Sequence, residues 1–277
     1  MQVRRLSGQV AFYALAGGIV VFAVFPFSYA ILASFSTGTA LFALFYRPFH
    51  LDFANYNAVW HARAFGQSML NSLFIASVTV AVALSLALTA AYALSRVQFR
   101  GRGLLLVTIL ATSMLPQVSL LAGFFELIRW LGLFDTPWAL ILSYSVFSLP
   151  FVVWFLTATM RDLPLEIEQA AIIDGATPWD IVRWVFLPMM GPVVLTSAIM
   201  AFVAAWNEFL FALIFTASET RRTVPIAILM FAGASPHEVP WGPIMAASLV
   251  VTLPVVALVM VFQNRVIAGL QRVNLNA

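Results

Sequence analysis

Glu208 is the residue whose position most clearly demands a chemical explanation. It follows Trp206 and Asn207 inside an apolar run that extends from about residue 193 to residue 217. A charged side chain near the centre of a bilayer costs about 2.5–3.5 kcal/mol on insertion scales, so an acid there should face a polar interior. The indole ring can stack on a ligand, and the amide and carboxylate can hydrogen-bond its polar groups. The alternative is a structural hydrogen-bonding post between helices or subunits, and the sequence leaves both open.

A second polar stretch, residues 161–192, is predicted to form a helix, a bend and a second helix. Proline is tolerated in the first turn of a helix, so Pro164 can open the first one. Glu166 and Glu168 then lie early in that helix, where its dipole favours negative charge. Gly175 can adopt the left-handed conformation that stops a helix.

The second helix is predicted from the residues that follow the glycine. We expect Thr177 at the N-cap, Pro178 at N1 and Asp180 at N3, as in a capping box. Pro188 is expected to end this helix and Pro192 to open the next apolar span. The hairpin also carries apolar side chains, namely Ile167, Ile172, Ile173 and Trp179. Such a capped, partly apolar protrusion fits a docking element for another protein or a connector packed beneath its own bundle, and physics alone leaves both open.

The composition around these polar groups is that of a polytopic membrane protein. Of the 277 residues, 62% are hydrophobic and 9% are charged, against about 25% charged in soluble domains. All 14 basic residues are Arg, and a P-loop needs a Lys to reach the nucleotide phosphates, so the chain is not a Walker-type ATPase by itself. The net charge of +3, with no basic run longer than two residues, does not indicate nucleic-acid binding.

Six apolar stretches are long enough to cross a bilayer as helices, which takes about 20 residues each. The fold class is therefore all-α, with transmembrane helices near residues 10–35, 70–95, 104–128, 138–160, 193–217 and 243–264. We divide the chain into an N-terminal helix and outer loop (1–66), a transmembrane core (67–265) that contains the 161–192 loop, and a C-terminal tail (266–277).

The arginines orient these spans, because positive residues collect on the cytoplasmic side. Nine lie on the side of the termini: Arg4, Arg5, Arg96, Arg100, Arg102, Arg161, Arg183, Arg265 and Arg272. Five lie on the other side: Arg47, Arg63, Arg129, Arg221 and Arg222. Both termini and the 161–192 loop are therefore predicted to be cytoplasmic.

Small residues recur every four positions along the second span. One row is Ser77, Ala81, Ser85, Thr89 and Ala93, and a neighbouring row is Thr79, Ala83, Ala87 and Ala91. Small residues at this spacing let helices approach closely in lipid. Packing inside one subunit is the favoured interpretation, with subunit pairing as the alternative.

No set of residues indicates catalysis or metal binding. His50, His61 and His237 lie in outer loops far apart in sequence and are interpreted as solvated loop histidines. With no Cys in the chain, a disulfide framework and a Cys-ligated metal site are excluded. We assign no catalytic residue, no metal ligand and no cofactor to this chain.

The hairpin also carries a recognisable motif. Gln169-Ala170-Ala171, Gly175 and Val185-Phe186-Leu187-Pro188 resemble the EAA motif of ABC importer permeases, E-A-A-x3-G-x9-I-x-L-P, with complete spacing. Gln169 stands where the family often has Glu, and Val185 where it has Ile. The resemblance implies that the loop is a coupling helix, which inserts into a cleft on an ATP-binding subunit. The implied coupling residues are Glu168, Gln169, Ala170, Ala171, Asp174, Gly175, Trp179, Leu187 and Pro188.

The resemblance covers most of the chain and points to the sugar-importing branch, in particular to the smaller permease of maltose-type transporters. The stretches that carry it are residues 68–103, 206–210, 223–225 and 241–247. The branch usually ends in G-A-V-K-G, whereas this chain ends in GLQRVNLNA. A type I importer permease fold is implied, and the substrate pathway is expected at Trp206, Asn207 and Glu208.

The same resemblance implies a set of partners in the cytoplasmic membrane of a bacterium or archaeon. These are a second permease, two ATP-binding subunits that hold ATP and Mg, and an extracytoplasmic sugar-binding protein. The runner-up function is an ion-coupled secondary transporter acting alone. That class typically has several intramembrane ionisable residues and internal repeats, whereas only Glu208 is clearly central here. A membrane enzyme ranks last, because no convergent catalytic set lies in the spans.

Overall fold

The computed structural model describes residues 2–37, 51–62, 64–232 and 239–274, and within these ranges the regular structure is helical. The chain begins with α1 (Gln2–Ser34), α2 (Ala54–His61), α3 (Phe65–Arg96), α4 (Arg102–Thr112), α5 (Gln117–Trp130) and α6 (Pro137–Arg161). Then follow α7 (Leu165–Ile173), α8 (Pro178–Asp180), a π-helix (Ile181–Phe186) and α9 (Leu187–Met189). The last elements are α10 (Gly191–Trp206), α11 (Leu210–Phe215), a 3-10 turn (Glu219–Arg221), α12 (Val224–Ala232) and α13 (Trp241–Asn274).

Four of these helices are long and apolar enough to cross a membrane, and the number is six if each of two bent pairs counts as one span. The predicted all-α polytopic architecture is confirmed. The third predicted span is one of the bent pairs, because α4 and α5 meet at 95°. Pro116 is the N-cap residue of α5, with an extended ψ of 123°, so the break lies where a proline cannot continue the backbone ladder.

The fifth predicted span is shorter than the sequence indicated. We expected one helix through residue 217, but α10 ends at Trp206 and α11 begins at Leu210. No Gly or Pro lies between them, so the usual sequence signals of a helix end are missing. The carboxylate of Glu208 stabilises this break between the two helices.

The described chain forms two compact units, and the first contains the residues up to Phe65 together with Ile228–Leu253. Within this unit the buried Asn55 of α2 joins two segments, because its side-chain amide donates hydrogen bonds to the carbonyls of Ser34 (2.9 Å) and Ser36 (3.0 Å). Gly242 lies against the same amide, since a Cβ added there would come within 2.6 Å of Asn55 Nδ2. Only glycine allows that approach.

The second unit contains Gly66–Ala227 and Pro254–Ala277, and it holds the residues discussed below. Its core brings together α3, α6, the π-helix and the start of α10. The buried members are Ala87, Ala91, Leu94, Val152, Val153, Leu156, Met160, Ile181, Phe186, Met190 and Ala201. The 161–192 loop is thus anchored in the same core as the long helices. The predicted boundaries at residues 66 and 265 stay a prediction.

The two rows of small residues on α3 have different environments. Thr79, Ala83, Ala87 and Ala91 are fully buried, so this row packs inside the subunit. Ser77, Ala81, Ser85 and Thr89 are exposed. The hydroxyls of Ser85 and Thr89 bond to carbonyls of their own helix, as is common for polar side chains on apolar helices.

Candidate functional site

The hairpin formed by residues 165–189 has the bend that the sequence predicted. Gly175 has φ +85°, and α7 ends in a Schellman motif, in which the Gly175 amide bonds Ile172 O and the Ala176 amide bonds Ala171 O, both at 3.0 Å. No heavy atom lies within 4 Å of a Cβ built on Gly175. The left-handed backbone, and not lack of space, therefore accounts for a glycine there.

The predicted capping box at the start of the second arm is confirmed. The Asp180 amide donates to Thr177 Oγ1 at 3.3 Å, and the Thr177 amide donates to Asp180 Oδ2 at 3.0 Å. The Thr177 hydroxyl also donates to Asp180 Oδ2. These hydrogen bonds, first that of the hydroxyl and then that of the Thr177 amide, hold the pKa of the Asp180 carboxyl below its usual range. The cap is consequently charged at neutral pH.

The end of the second arm differs from the prediction. Pro188 does not end the helix, because the chain remains helical through the π-helix and α9 and turns at Met190. Pro188 is the second residue of the short α-helical turn that directly follows the π-helix. The prediction that Pro192 opens the next helix is confirmed, since α10 begins at Gly191.

One face of the hairpin packs inward through apolar residues and a charge pair. Ile181, Val182 and Phe186 are buried, and so is Glu168 at 7% exposure. Glu168 Oε2 lies 3.2 Å from Arg96 Nε, and Glu168 Oε1 accepts a 3.0 Å hydrogen bond from the Tyr92 hydroxyl. Of the predicted coupling residues, Glu168 therefore belongs to the inner face.

The other face of the hairpin is exposed and rich in large apolar side chains. Ile173 is 85% exposed, Trp184 67% and Trp179 59%. The remaining predicted coupling residues lie on this side or at its edge: Gln169, Ala170, Asp174, Gly175, Leu187 and Pro188 are exposed, and Ala171 is half-buried. The buried face agrees with the connector interpretation, and the docking interpretation of the exposed face stays a prediction.

Sequence reasoning missed the partners of Glu168. Tyr92 and Arg96 are four residues apart on α3, and residues at this spacing share one face of a helix. That periodicity was visible in the sequence. The 76 positions between Tyr92 and Glu168 gave no signal that the two would meet.

Glu208 holds the interruption between α10 and α11. Its Oε1 accepts a 3.0 Å hydrogen bond from the Phe211 amide, and its Oε2 accepts one of 3.3 Å from the Ala212 amide. The first amides of a helix have no partner within the helix, and the carboxylate supplies one. Among the residues that the structure describes, no cation lies within ion-pair distance of Glu208.

A cavity of about 470 Å³ lies beside Glu208. Its polar lining consists of Ser113, Gln117, Tyr144, Ser148 and Glu208, and its apolar lining includes Phe147, Phe151 and Phe211. The Tyr144 hydroxyl is buried, close to the Glu208 carboxylate but outside hydrogen-bond geometry. Aromatic rings and a few convergent polar groups are typical of small-molecule sites.

The predicted pathway residues are only partly brought together. Glu208 lines the cavity, whereas Trp206 and Asn207 do not. Trp206 is buried and stacks on Phe202, with ring centroids 5.6 Å apart, and the Asn207 amide donates to Val203 O. The sequence held a signal for the residues that do line it, because Tyr144, Phe147, Ser148 and Phe151 recur at helical spacing on α6.

The described parts of the chain contain no group of three His, Cys, Asp or Glu residues that could hold a metal ion. Of the three histidines, His50 and His237 lie outside the described residues. His61 bonds through Nδ1 to Asn57 O at 2.9 Å.

Comparison with protein families identifies one match over residues 83–272, to the family described as binding-protein-dependent transport system inner membrane component. A trehalose transport system permease protein, SugB, of Mycobacterium tuberculosis is 40% identical over 80% of this chain and 81% of its own length. A trehalose/maltose transport system permease protein, MalG, of Thermococcus litoralis is 35% identical over 91% of both chains.

Similar sequences also include a sulfoquinovosyl glycerol transport system permease protein, SmoH, of Agrobacterium fabrum, which is 35% identical over 95% of this chain and 93% of its own. Among solved structures, a chain of a bacterial ABC transporter involved in the import of alginate superposes with a TM-score of 0.79. The two chains are 22% identical, and the superposition covers 95% of the present chain and 98% of the transporter chain. This likeness shows that the fold is that of an ABC importer permease.

Proposed function

The chain belongs to the family of inner membrane components of binding-protein-dependent transport systems, and from this premise we propose that it is the permease subunit of an ATP-driven importer of a sugar. The substrate class would be an oligosaccharide, a glycoside or a polyol, since the similar permeases carry the names of trehalose, maltose and sulfoquinovosyl glycerol systems. The chain is a transport subunit and not an enzyme.

The observation that carries the proposal is the division of the 165–189 hairpin into two faces. Its inner face is anchored in the core through Phe186 and Ile181, and its outer face exposes Ile173 and Trp179. Exposed apolar patches of this kind mark protein interaction sites. We assign that face to an ATP-binding subunit. The contacts would come from Gln169, Ala170, Ala171, Asp174, Gly175, Trp179, Leu187 and Pro188, with Glu168 behind them.

The proposal requires partner proteins, including subunits that bind and hydrolyse ATP. Two ATP-binding subunits would hold ATP and Mg, a second permease would complete the pathway, and an extracytoplasmic sugar-binding protein would deliver the substrate. The chain would lie in the cytoplasmic membrane of a bacterium or archaeon, with both termini in the cytoplasm. The excess of arginine on that side, nine against five, supports this orientation.

Transport would proceed by alternating access. Closure of the ATP-binding subunits on ATP would draw the hairpins of the two permeases together. Because the hairpin shares a core with α3 and α6, its displacement would tilt these helices and open the bundle to the outside. Hydrolysis would release the hairpins and return the bundle to its inward-open state.

The cavity beside Glu208 is the part of this chain that we assign to the substrate pathway. A hydroxylated substrate could stack on Phe147 or Phe151 and hydrogen-bond Tyr144, Gln117 and Glu208. The backbone amides of Phe211 and Ala212 use only part of the acceptor capacity of the Glu208 carboxylate, which has about four lone-pair sites. The remaining sites are available to a ligand.

Reconstitution tests the whole proposal. The chain is copurified with its partners, and uptake of radiolabelled trehalose and maltose into proteoliposomes is measured with and without ATP. We expect uptake only with ATP and the binding protein. Ion-driven uptake by the chain alone would overturn the proposal in favour of a secondary transporter.

The docking surface has a separate test. Ala170→Trp places a large side chain on the exposed face and should abolish copurification of the ATP-binding subunits. Gln98→Trp, at an exposed position in the turn after α3, is the matched control and should leave copurification intact. Equal copurification with both variants would remove the exposed face as the docking surface.

A further inference from the structure

Arg96 contacts three separate parts of the hairpin region from the last turn of α3. Its Nε lies 3.2 Å from Glu168 Oε2 in α7, and its Nη2 donates a 2.8 Å hydrogen bond to Leu163 O in the link before α7. Its Cζ lies 5.2 Å from the centroid of the Phe186 ring in the π-helix. One side chain therefore contacts the first arm, the second arm and the segment that leads into the hairpin.

We propose that Arg96 is a positioning residue that joins both arms of the hairpin to the end of α3, so that hairpin and helix move as one body. The inference rests on the proposed function, because it explains how a force on the hairpin reaches a membrane-spanning helix. On the hairpin, Glu168 is the acid that pairs with Arg96. It is not a contact for the ATP-binding subunit.

The burial of the pair makes the connection stiff. The side chains of Arg96 and Glu168 are 6% and 10% exposed, so water cannot replace either partner if the two separate. Removal of one member leaves an uncompensated buried charge, which is strongly unfavourable. The hairpin is therefore held in one position relative to α3 unless the whole unit moves.

The guanidinium group is required because of its shape. It is planar and presents its N–H donors in a fixed fork, and its face can lie over an aromatic ring. A lysine ammonium is a point charge that can pair with Glu168 but cannot also reach Leu163 O and cover Phe186. Tyr92, one turn earlier on α3, adds a second bond to Glu168, and Arg161 Nη2 donates to Leu94 O at 3.3 Å. The first bond ties α3 to the hairpin, and the second ties α3 to the end of α6, just before the link to the hairpin.

The experiment uses the assembled importer in proteoliposomes and measures substrate transported per ATP hydrolysed. Glu168→Gln and Arg96→Gln should lower this ratio at least tenfold. Glu166→Gln is the matched control for the acid, since Glu166 is exposed on the same helix, and Arg100→Gln is the control for the base. Both controls should keep the wild-type ratio. Arg96→Lys should recover assembly but only part of the ratio.

A distance measurement separates positioning from simple stability. The chain has no native Cys, so spin labels can be placed at Leu86→Cys in α3 and Leu165→Cys in α7, both exposed positions outside the assigned docking contacts. Double electron–electron resonance should give one narrow distance in the otherwise wild-type complex. The distribution should broaden in the Glu168→Gln background and stay narrow in the Glu166→Gln background.

The outcomes distinguish this inference from the proposed function. Absence of ATP-driven uptake by the wild-type complex would contradict the proposed function, whereas wild-type uptake with equal ratios for Glu168→Gln and Glu166→Gln would overturn the role of Arg96 alone. If the single variants fail to assemble, the double variant Arg96→Gln/Glu168→Gln decides. Without an unpaired charge it should assemble and yet remain uncoupled, and normal coupling in it would overturn the inference.

Discussion

Glu168 and Glu208 are both acids in a largely apolar chain, but the protein satisfies them in opposite ways. Glu168 is buried against Arg96 and Tyr92, two side chains of another helix. Glu208 is bound by the backbone amides of Phe211 and Ala212, only three and four residues ahead. The first acid ties distant segments together, and the second shapes its own turn.

The difference indicates which acid can serve a ligand. A buried carboxylate that is already paired with a cation and a hydroxyl donor stabilises the fold. Removal of the cation leaves a buried, unpaired charge and is strongly destabilising. A carboxylate held by two amides, with a cavity beside it, can accept further hydrogen bonds. We therefore assign Glu168 to force transmission and Glu208 to the substrate pathway.

The largest expected effect comes from breaking the charge pair. Glu168→Ala leaves Arg96 buried without a counter-charge and should destabilise the chain by about 3–5 kcal/mol. Thermal unfolding of the detergent-solubilised protein measures this. Glu166→Ala should shift the midpoint little, because its side chain is exposed. Equal shifts for the two variants would erase the contrast between Glu168 and an ordinary surface acid.

The next effect is on substrate affinity. Glu208→Gln keeps an oxygen for the α11 amides but loses the charge, and hydrogen bonds to charged groups exceed neutral ones by about 1–1.5 kcal/mol. The KM for the sugar should rise about tenfold, and the melting temperature should fall as well, because Gln keeps only one acceptor oxygen for the Phe211 and Ala212 amides. Glu126→Gln, an exposed acid in α5 that does not line the cavity, is the control. An unchanged KM would return Glu208 to a purely structural role.

A smaller effect is expected at the bend of the hairpin. Gly175→Ala forces a left-handed conformation on a residue with a Cβ and should cost about 1–2 kcal/mol, with no steric clash to add to it. Transport per ATP should fall because the bend relaxes. Gly103→Ala, within α4 and equally free of neighbours, should be neutral or slightly stabilising. A drop in both variants would mean that the conformation of Gly175 is not the cause.

The smallest effect concerns the capping box. Thr177→Ala should cost about 1 kcal/mol, measured by thermal unfolding against Thr112→Ala, whose hydroxyl bonds only to Ile109 O of its own helix. The pKa of Asp180 is lowered by the Thr177 hydroxyl. The cap is therefore fully present above the ordinary Asp pKa of about 3.9 and is lost as pH falls through the lower folded-state pKa.

The Thr177→Ala difference should consequently be constant from pH 5 to pH 8 and shrink below about pH 4. A difference that varied between pH 5 and pH 8 would point to another titrating group.

The parts of the fold that the sequence predicted correctly are those with local causes. The bend at Gly175 and the box formed by Thr177 and Asp180 follow from backbone conformation and short-range hydrogen bonds. The break before α5 lies at Pro116, inside a stretch that was predicted as one span. The sequence did not predict the end of α10, because neither Gly nor Pro lies there. The turn is made instead by Glu208, two positions beyond the helix.

The sequence by itself determined the all-α membrane architecture, the capped hairpin and the family motif, because composition, periodicity and caps act over a few residues. Only the tertiary structure decided which side of the hairpin is buried, that Glu168 meets Arg96, and that Tyr144 rather than Trp206 lies beside Glu208 at the cavity. The physical reason is distance along the chain. A contact between residues more than 60 positions apart depends on how whole helices pack, and no local propensity encodes it.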